Sequence, residues 1–316
     1  MNVECFGFHC PQEKEFPSML VLEITNVCNF RCIHCPYPRI AQRSGYMPKF
    51  MNWDVYAKII EETAEWPKTI LRFVCDGEPM MHPDFIPMVI YAKKKNIAPV
   101  CITTNGYFLT GEHVKAMLEC ECDVIEVSLD ALREESYNKI RIGGDFHRVI
   151  NNIHQLIHLR NTQKRKTKIM VSIINQPLVV DEIEDFKHYW EPMVDRIIIR
   201  ALTSVGGLIK QSGAQYHNVK KQNRWPCPML WRRLFINVDG YAEFCVDDWL
   251  DKTIIADTRE KSISEIWQGE QYQLLREYHR KGEFALAEKC AFCLDWPTRT
   301  WEYDYFHALE IIGAKA

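Results

Sequence analysis

Apolar residues recur along the first two thirds of the chain in two alternating patterns. Six short segments rich in Val and Ile have the length and composition of buried strands, and they are Met19–Thr25, Ile70–Cys75, Ala98–Thr104, Asp123–Leu129, Lys168–Ile174 and Arg196–Ala201. Longer segments with helical periodicity lie between them, at Trp53–Glu65, Pro83–Lys95, Glu112–Cys120, His147–Leu159 and Glu182–Trp190. Strands that alternate with helices favour right-handed crossovers and a parallel sheet. Six such units predict an α/β fold, an open partial (β/α)6 barrel over residues 19–202.

The pattern changes after the sixth predicted strand. Residues 203–224 are polar, irregular and contain three glycines, which indicates a linker or lid. Two apolar segments, Arg232–Val238 and Tyr241–Val246, flank an Asp-Gly pair, which is a strong signal for a β-hairpin. Helical periodicity follows at Ser264–His279 and Thr300–Ile312. We therefore predict four parts: an N-terminal extension (1–18), the barrel (19–202), a linker (203–224) and a small α+β C-terminal domain (225–316).

Composition and charge indicate an ordinary soluble globular protein. Of the 316 residues, 47% are hydrophobic and 26% are charged, enough to bury a core. The formal net charge of −3 gives no electrostatic reason to expect nucleic acid or an anionic membrane as a partner. The N-terminus lacks the basic-then-apolar pattern of a signal peptide, and no apolar run approaches the roughly 18 residues that span a bilayer. We expect a cytoplasmic protein without nucleic-acid or membrane partners.

Thirteen cysteines in a chain expected in a reducing compartment point to metal binding or catalysis. Three of them, Cys28, Cys32 and Cys35, have C-x3-C-x2-C spacing directly after the first predicted strand, and loops at this end of parallel strands build active sites. Thiolates are the usual ligands of [4Fe–4S] clusters. Three ligands for four irons would leave one iron open for chemistry. The alternatives are a structural zinc site, which normally takes four protein ligands, and a chance grouping of buried thiols.

The same segment resembles the signature of the radical S-adenosylmethionine (SAM) family, C-x3-C-x-aromatic-C, with His34 in the aromatic position beside the cofactor. The resemblance covers the whole chain, because further family elements follow the later strands in order. It implies that Cys28, Cys32 and Cys35 bind a [4Fe–4S] cluster that cleaves SAM into methionine and a 5′-deoxyadenosyl radical. That radical takes a hydrogen atom from an unactivated C–H bond, while the protein holds the substrate close and excludes other hydrogen donors.

The second predicted strand runs into Cys75-Asp76-Gly77-Glu78-Pro79, which matches a Gly-Gly-Glu-Pro element of the family with Asp76 in place of the first glycine. The resemblance implies that Gly77 lets the backbone approach the cofactor. It implies that Glu78, or the backbone beside it, holds the methionine amino group. Four more residues at later strand ends are implied as cofactor contacts, namely Asn105, Ser128 and Asp130 for the ribose and Arg141 for the methionine carboxylate.

A second set of four cysteines lies near the C-terminus: Cys227, Cys245, Cys290 and Cys293. Considered alone, four cysteines ending in C-x2-C fit zinc about as well as an iron–sulfur cluster. With the hairpin and the helix around Trp267, the pattern resembles the shortened "twitch" form of the SPASM extension of radical SAM enzymes. That resemblance implies one auxiliary, fully ligated [4Fe–4S] cluster used for electron transfer, and two clusters in all. An external reductant such as flavodoxin or ferredoxin is the expected partner.

The cysteine arrangement and chain length resemble the radical SAM aminocyclitol dehydrogenases. This implies that a secondary alcohol of a small sugar or cyclitol is oxidised to a ketone, with Arg200 as a candidate to take the hydroxyl proton or to position the hydroxyl. The first alternative is a carbohydrate epimerase in which Cys75 returns a hydrogen atom to the substrate radical. A peptide-modifying enzyme and a non-enzymatic iron–sulfur or zinc module are further alternatives. We expect Cys101, Cys120 and Cys122 to be core or half-buried thiols. The aromatic C-terminal helix is expected to pack against the small domain, and the alternative is that it forms a wall of the substrate pocket.

Overall fold

The computed structural model describes residues 12–74, 76–209, 224–250, 252–300 and 304–314. Its strands are β1 (Met19–Leu22), β2 (Ile70–Phe73), β3 (Val100–Thr104), β4 (Val124–Ser128), β5 (Lys168–Asn175), β6 (Arg196–Ala201), β7 (Arg233–Ile236), β8 (Tyr241–Glu243) and β9 (Ile254–Asp257). Its helices are α1 (Gln12–Glu15), α2 (Tyr37–Ile40), α3 (Trp53–Ala64), α4 (Phe85–Lys94), α5 (Gly111–Glu119), α6 (Glu134–Ile140), α7 (Phe146–Thr162), α8 (Ile183–Trp190), α9 (Met229–Arg232), α10 (Ile263–Gln268), α11 (Glu270–Lys281), α12 (Glu288–Ala291) and α13 (Asp304–Ile311). Cys75, the candidate hydrogen donor of the epimerase alternative, lies outside the described residues. Within the described ranges, no helix is both long and apolar enough to cross a bilayer.

The strands form one sheet in the order β6-β5-β4-β3-β2-β1-β7-β8-β9. β1 to β6 are parallel, and each pairs with the next strand in sequence. The predicted α/β class and the six-stranded, partial parallel barrel are therefore confirmed. Because all six strands run in one direction, their carboxyl ends meet at one edge of the sheet, where the loops that carry the predicted site residues begin.

Alternate residues of the parallel strands pack on opposite sides of the sheet. On the outer side, the strands bury residues such as Leu20 and Leu71 against the crossover helices. On the inner side, Met19, Cys101 and Val124 form a second apolar cluster with Tyr305 and other residues of α13. The C-terminal helix thus covers the amino-terminal half of the inner face of the barrel. The helix also packs against the small domain as predicted, because Phe235 of β7 belongs to the same cluster and Arg232 of α9 lies 4.1 Å from the ring centre of Phe306. Its packing on the inner face of the barrel was not predicted.

The C-terminal part continues the sheet of the barrel. β7 lies parallel to β1, with Met19 opposite Arg233, and β8 and β9 follow in antiparallel order. The predicted hairpin is present, and Gly240 takes the positive φ of 84° that its turn requires. The helix predicted over Ser264–His279 is instead divided into α10 and α11, since Gly269 between them has extended backbone angles. This geometry turns the chain between two short helices.

The beginning of the predicted linker is anchored to the C-terminal part. Asp295 accepts hydrogen bonds from the backbone N–H of Ser204 at 2.6 Å and from its hydroxyl at 2.8 Å. The backbone N–H of Gly206 also donates to Asp295, at 3.1 Å. Residues 203–209 are therefore tied to the C-terminal cysteine region, and residues 210–223 of the predicted linker lie outside the described residues.

Candidate active site

The carboxyl ends of the parallel strands surround a cavity of about 270 Å³. Its lining includes every described residue that sequence reasoning assigned to the first cluster, the cofactor or the substrate hydroxyl: Cys28, His34, Cys32, Cys35, Gly77, Glu78, Asn105, Ser128, Asp130, Arg141 and Arg200. These residues are spread over more than 170 positions of the chain. The fold therefore brings the predicted residues together at one place.

The loop that carries the first three cysteines is held by backbone hydrogen bonds. The N–H of Arg31 donates to the carbonyl oxygen of Ile142 at 2.7 Å, and the N–H of Ile33 donates to that of Ile140 at 3.1 Å. The loop is thereby paired with the segment that follows α6. This pairing fixes the direction in which the cysteine side chains leave the backbone.

All three thiols of this loop border the cavity. Burial raises the pKa of the Cys28 thiol to about 12 and raises the pKa values of Cys32 and Cys35 as well. In the absence of metal the thiols are therefore protonated at neutral pH, and bound iron would displace their protons. Backbone N–H groups of Phe30 and Tyr37 already point at the sulfur atoms of Cys28 and Cys35, at 3.5 and 3.4 Å. Such N–H groups would stabilise thiolates.

The loop after β2 approaches the cysteine loop most closely at Gly77. A Cβ atom at this position would lie 2.2 Å from the carbonyl oxygen of Thr25 and 2.7 Å from that of Val27. Both atoms belong to the backbone, so a larger residue would require the cysteine loop to move. This close approach is a physical reason for glycine at the position.

Glu78 joins the loops after β2 and β3. It accepts a hydrogen bond from the hydroxyl of Thr104 at 2.6 Å, from the backbone N–H of Asn105 at 2.7 Å and from that of Met80 at 3.3 Å. Burial raises the pKa of Glu78 to about 6, although these hydrogen bonds act in the opposite direction. Both carboxylate oxygens thus hold neighbouring loops in place. We expect Glu78 to shape the cofactor site mainly through the backbone that it positions.

Asp130 organises the charged side of the cavity. Its Oδ2 lies 2.6 Å from Nη2 of Arg141 and 3.4 Å from Nε2 of His34, and its Oδ1 accepts from the backbone N–H of Ile174 at 2.9 Å. Nη1 of Arg141 donates towards the sulfur of Cys32 at 3.6 Å. A continuous polar network therefore links the end of β4 with the cysteine loop.

Two polar atoms of this network remain available to a ligand. Nδ1 of His34 and Nε of Arg141 are buried, and neither has a hydrogen-bond partner within the described part of the chain. Burial lowers the pKa of His34 to about 4 despite the opposing charge of Asp130, so the ring is neutral at pH 7. Buried polar atoms nearly always have a partner. Their presence at one cavity wall, beside three thiols, fits a polar, metal-bound cofactor.

A second cavity of about 350 Å³ adjoins the first, and Asp76, Thr103, Ser128 and Arg200 line both. Its far side shares Val246, Asp247 and Arg299 with a third cavity, which is described below. The middle cavity therefore lies between the strand ends of the barrel and the C-terminal part.

Arg200 is fixed in the middle cavity by the buried carboxylate of Glu126. Nη2 of Arg200 donates to Glu126 at 2.6 Å, and Nη2 of Arg72 donates to the other oxygen of that carboxylate at 3.0 Å. Burial alone would raise the pKa of Glu126, but the guanidinium groups of Arg200 and Arg72 outweigh it and lower the pKa to about 2. Sequence reasoning missed Arg72 and Glu126. A charged residue within an apolar strand was the signal that could have found them.

The third cavity, of about 50 Å³, is lined by Cys227, Cys245, Cys290 and Cys293. Cys227 lies before α9 and Cys245 lies after β8. Cys290 lies within α12, and Cys293 lies just beyond it. Burial raises the pKa of Cys227 to about 11 and that of Cys290 to about 12, and it raises the pKa values of Cys245 and Cys293. Separate parts of the chain thus deliver four buried thiols to one small, largely apolar space.

Across the residues described, no three His, Cys, Asp or Glu side chains converge closely enough for a single metal ion. A [4Fe–4S] cluster takes each cysteine on a different iron and so spreads its ligands more widely than a single zinc ion does. The two groups of buried thiols, each around one cavity, fit such a ligand. Cys101 and Cys122 are fully buried elsewhere in the core, as expected.

Comparison with known proteins agrees with this architecture. The model of the radical SAM superfamily matches residues 22–189, more than half of the 316-residue chain. The chain belongs to the radical SAM superfamily. The model of the SPASM iron–sulfur cluster-binding domain matches residues 227–294, a range that contains all four C-terminal cysteines. This radical SAM protein therefore has a SPASM domain, and its cofactors are [4Fe–4S] clusters and SAM.

The individual proteins that match the chain have low sequence identity to it. GTP 3',8-cyclase of Lactiplantibacillus plantarum is 30% identical over 169 residues, which are 53% of this chain and 49% of that protein. The chain spans about half the length of the first curated relatives that it matches. The structure of BtrN in complex with AdoMet and 2-DOIA has a TM-score of 0.62 and 18% identity, and the match covers 91% of this chain and 97% of BtrN. Streptococcus suis SuiB bound to precursor peptide SuiA has a TM-score of 0.66 and 15% identity, covering 83% of this chain and 67% of SuiB. At these identities, the two structures show a shared fold.

Proposed function

We propose that this radical SAM protein oxidises a secondary alcohol of a small hydroxylated substrate, a sugar or a cyclitol, to a ketone. The observation that carries the proposal is the position of the 350 Å³ cavity. It shares one wall with the cavity of the first three cysteines and another with the cavity of the last four. A substrate held there would be close to both cysteine groups. Such a position suits the loss of a hydrogen atom followed by the loss of one electron.

In this proposal each cysteine group holds one cluster. The cluster bound at the first group would, together with SAM, supply the radical that removes a hydrogen atom. The cluster bound at the second group would supply a one-electron acceptor. We assign the methionine carboxylate of SAM to Arg141 and the ribose to Asn105 and Ser128. Asp130, which the resemblance also implies as a ribose contact, would orient Arg141 and His34 for this task. An external reductant such as flavodoxin or ferredoxin would supply electrons to the protein.

Arg200 would bind a substrate hydroxyl without accepting its proton. A guanidinium group stays protonated in proteins, and Glu126 holds this one in place. Asp76, which borders both the cofactor cavity and the substrate cavity, is a carboxylate that can take the proton. The substrate then loses one hydrogen atom from carbon, one proton from oxygen and one electron, and these losses together convert an alcohol to a ketone.

The test uses anaerobically reconstituted protein, reduced flavodoxin, SAM and a panel of cyclitols and sugars in deuterated water. We expect 5′-deoxyadenosine and ketone in equal amounts with at least one compound, and no deuterium in the recovered substrate. Deuterium at an inverted carbon would identify an epimerase and overturn the dehydrogenase. Turnover with peptides alone would overturn the substrate class.

The role of Asp76 has its own measurement. Asp76→Asn is expected to lower ketone formation about 100-fold or more, as for the loss of a general base, while hydrogen transfer from labelled substrate to 5′-deoxyadenosine persists. Asp84→Asn, at an exposed position, serves as the control and should resemble the unaltered protein. Equal loss of both products in Asp76→Asn would show that Asp76 is needed for substrate binding instead.

A further inference from the structure

His279, on α11, borders the four-cysteine cavity and is only 1% exposed. The backbone N–H of Cys227 donates a hydrogen bond to its Nδ1 at 3.1 Å. A backbone N–H can only donate, so Nδ1 carries the lone pair of the ring. The neutral ring then has its hydrogen on Nε2. The contact with Cys227 therefore determines the tautomer of His279.

The other ring nitrogen of His279, Nε2, differs from Nδ1 in its contacts. It is buried, and it has no hydrogen-bond partner among the residues that the structure describes. The ring is also fixed in position, because Phe284 packs edge-on against it with the ring centres 5.1 Å apart. Buried N–H groups nearly always have an acceptor. The cavity that the ring borders is lined by the four cysteines and by the charged side chains of Arg224, Asp247, Lys289 and Arg299.

We propose that the Nε2–H group of His279 donates a hydrogen bond to a sulfur atom of the auxiliary cluster and thereby raises its reduction potential. This inference rests on the proposed function in one respect, namely that the four cysteines hold an iron–sulfur cluster. Hydrogen bonds to cluster sulfur atoms stabilise the more negative, reduced state. His279 is thus a positioning and tuning residue, and Cys227 contributes both a ligand and the N–H group that orients it.

Charged side chains surround the ring and the cavity that it borders. Arg224, Lys289, Arg299 and Asp247 border the same cavity, and Asp247 is paired with Arg299 at 2.5 Å. Nearby cations act on a reduced, negatively charged cluster in the same direction as an N–H donor. A cluster with a raised potential is a better acceptor for the electron that the substrate loses.

The test removes the first cluster, so that only the C-terminal one is observed. The parent protein for all variants is the full-length chain with Cys28, Cys32 and Cys35 changed to alanine. It is reconstituted with iron and sulfide, and the midpoint potential of the remaining cluster is measured by redox titration with EPR detection. His279→Asn keeps an oxygen acceptor near Nδ1 for the Cys227 N–H but has no group that reaches the position of Nε2. His279→Gln places an amide N–H₂ near the position of Nε2. The exposed His147→Asn is the matched control.

We expect His279→Asn to lower the ratio of reduced to oxidised cluster about tenfold at a fixed potential, which corresponds to about 59 mV for one electron. His279→Gln and His147→Asn should stay within about a factor of two of the unaltered histidine, corresponding to less than about 18 mV on the same scale. Equal potentials for His279→Asn and the parent protein would overturn the inference. Assembly of the cluster in His279→Gln but not in His279→Asn would also overturn the inference. His279 would then be needed for cluster assembly and not for setting the reduction potential.

One measurement tests the hydrogen bond in the parent protein itself. In parent protein labelled with ¹⁵N-histidine, ENDOR spectra of the reduced cluster should show a weak ¹⁵N coupling, and the His279→Gln variant should lack it. An absent coupling in the parent protein would overturn the inference even if His279→Asn failed to fold. A parent protein that binds no four-iron cluster would contradict the proposed auxiliary cluster. That result differs from a bound cluster whose midpoint potential does not change in His279→Asn, which would contradict only the role of His279.

Discussion

Gly77 shows how one residue can set the distance between two loops of the site. A methyl group there would overlap the backbone oxygens of Thr25 and Val27, so Gly77→Ala must displace the cysteine loop. We expect SAM affinity to fall roughly tenfold, about 1.4 kcal/mol, and the iron content after reconstitution to fall as well. Equilibrium dialysis with labelled SAM and iron analysis measure both.

Gly111→Ala is the matched control for this change. A Cβ atom at Gly111, at the start of α5, meets nothing within 4 Å, and alanine is a better helix residue than glycine. Gly111→Ala should therefore bind SAM as the unaltered protein does. Unchanged SAM affinity in Gly77→Ala would show that the cysteine loop can shift without affecting the cofactor site.

Glu126 is the residue whose ionisation contributes most clearly to stability. Its pKa is about 2 in the folded protein against an ordinary value of 4.5. A lowered pKa means that the stabilisation is fully present above pH 4.5 and is lost as the pH falls towards 2, an effect of about 3 kcal/mol. Glu126→Gln also leaves Arg72 and Arg200 without their shared carboxylate. We expect it to lower the free energy of unfolding at pH 7 by about 3–5 kcal/mol.

Denaturant titrations at several pH values measure this effect. The difference between the unaltered protein and Glu126→Gln should shrink between pH 4.5 and pH 2. Glu135→Gln, at an exposed position on α6, should leave unfolding close to that of the unaltered protein. A difference that stays constant with pH would mean that Glu126 stabilises the fold by packing and not by its charge.

At the scale of secondary-structure elements, a side chain of the barrel caps a helix of the C-terminal part. Glu62 on α3 accepts hydrogen bonds from the backbone N–H groups of Ile263 at 2.9 Å and Ser264 at 3.0 Å. Ser262 and Glu265 complete the start of α10 with a capping box. The N–H groups of Ile263, Ser264 and Glu265 in the first turn of α10 are therefore satisfied, two of them by a residue 201 and 202 positions earlier in the chain.

Glu62→Ala is expected to lower the free energy of unfolding by about 1 kcal/mol, the usual effect of losing a helix cap. Hydrogen exchange at Ile263 and Ser264 should become faster, because these N–H groups lose their acceptor. Glu65→Ala, on the exposed end of the same helix, should leave exchange at both positions unchanged. Equal protection in both variants would contradict the cap.

At the scale of the whole molecule, the barrel and the C-terminal part share one sheet. Leu234 in β7 is fully buried and pairs with Leu20 of β1. We expect a single cooperative unfolding transition, because unfolding of the C-terminal part would expose β1. Leu234→Ala should lower the free energy of unfolding by about 2–5 kcal/mol, the range for a buried leucine, and should keep one transition in calorimetry. A separate early transition would show that the two parts unfold independently.

The sequence alone determined the features that depend on neighbouring residues. Strand and helix periodicity revealed the six βα units, because burial of one face acts on residues a few positions apart. The spacing of Cys28, Cys32 and Cys35 within one loop likewise indicated the first metal site. The strand ends that bear Gly77 and Asn105 could be predicted because parallel strands place their carboxyl ends together.

The tertiary structure decided everything that depends on distant residues. No local pattern shows that α13 covers the inner face of the barrel, that Glu126 holds Arg200, or that His279 borders the cavity of the last four cysteines. Each of these contacts joins residues separated by tens to hundreds of positions, and its strength comes from burial that exists only after the chain has folded. Local chemistry therefore indicated which groups react, and long-range packing decided how they are oriented and charged.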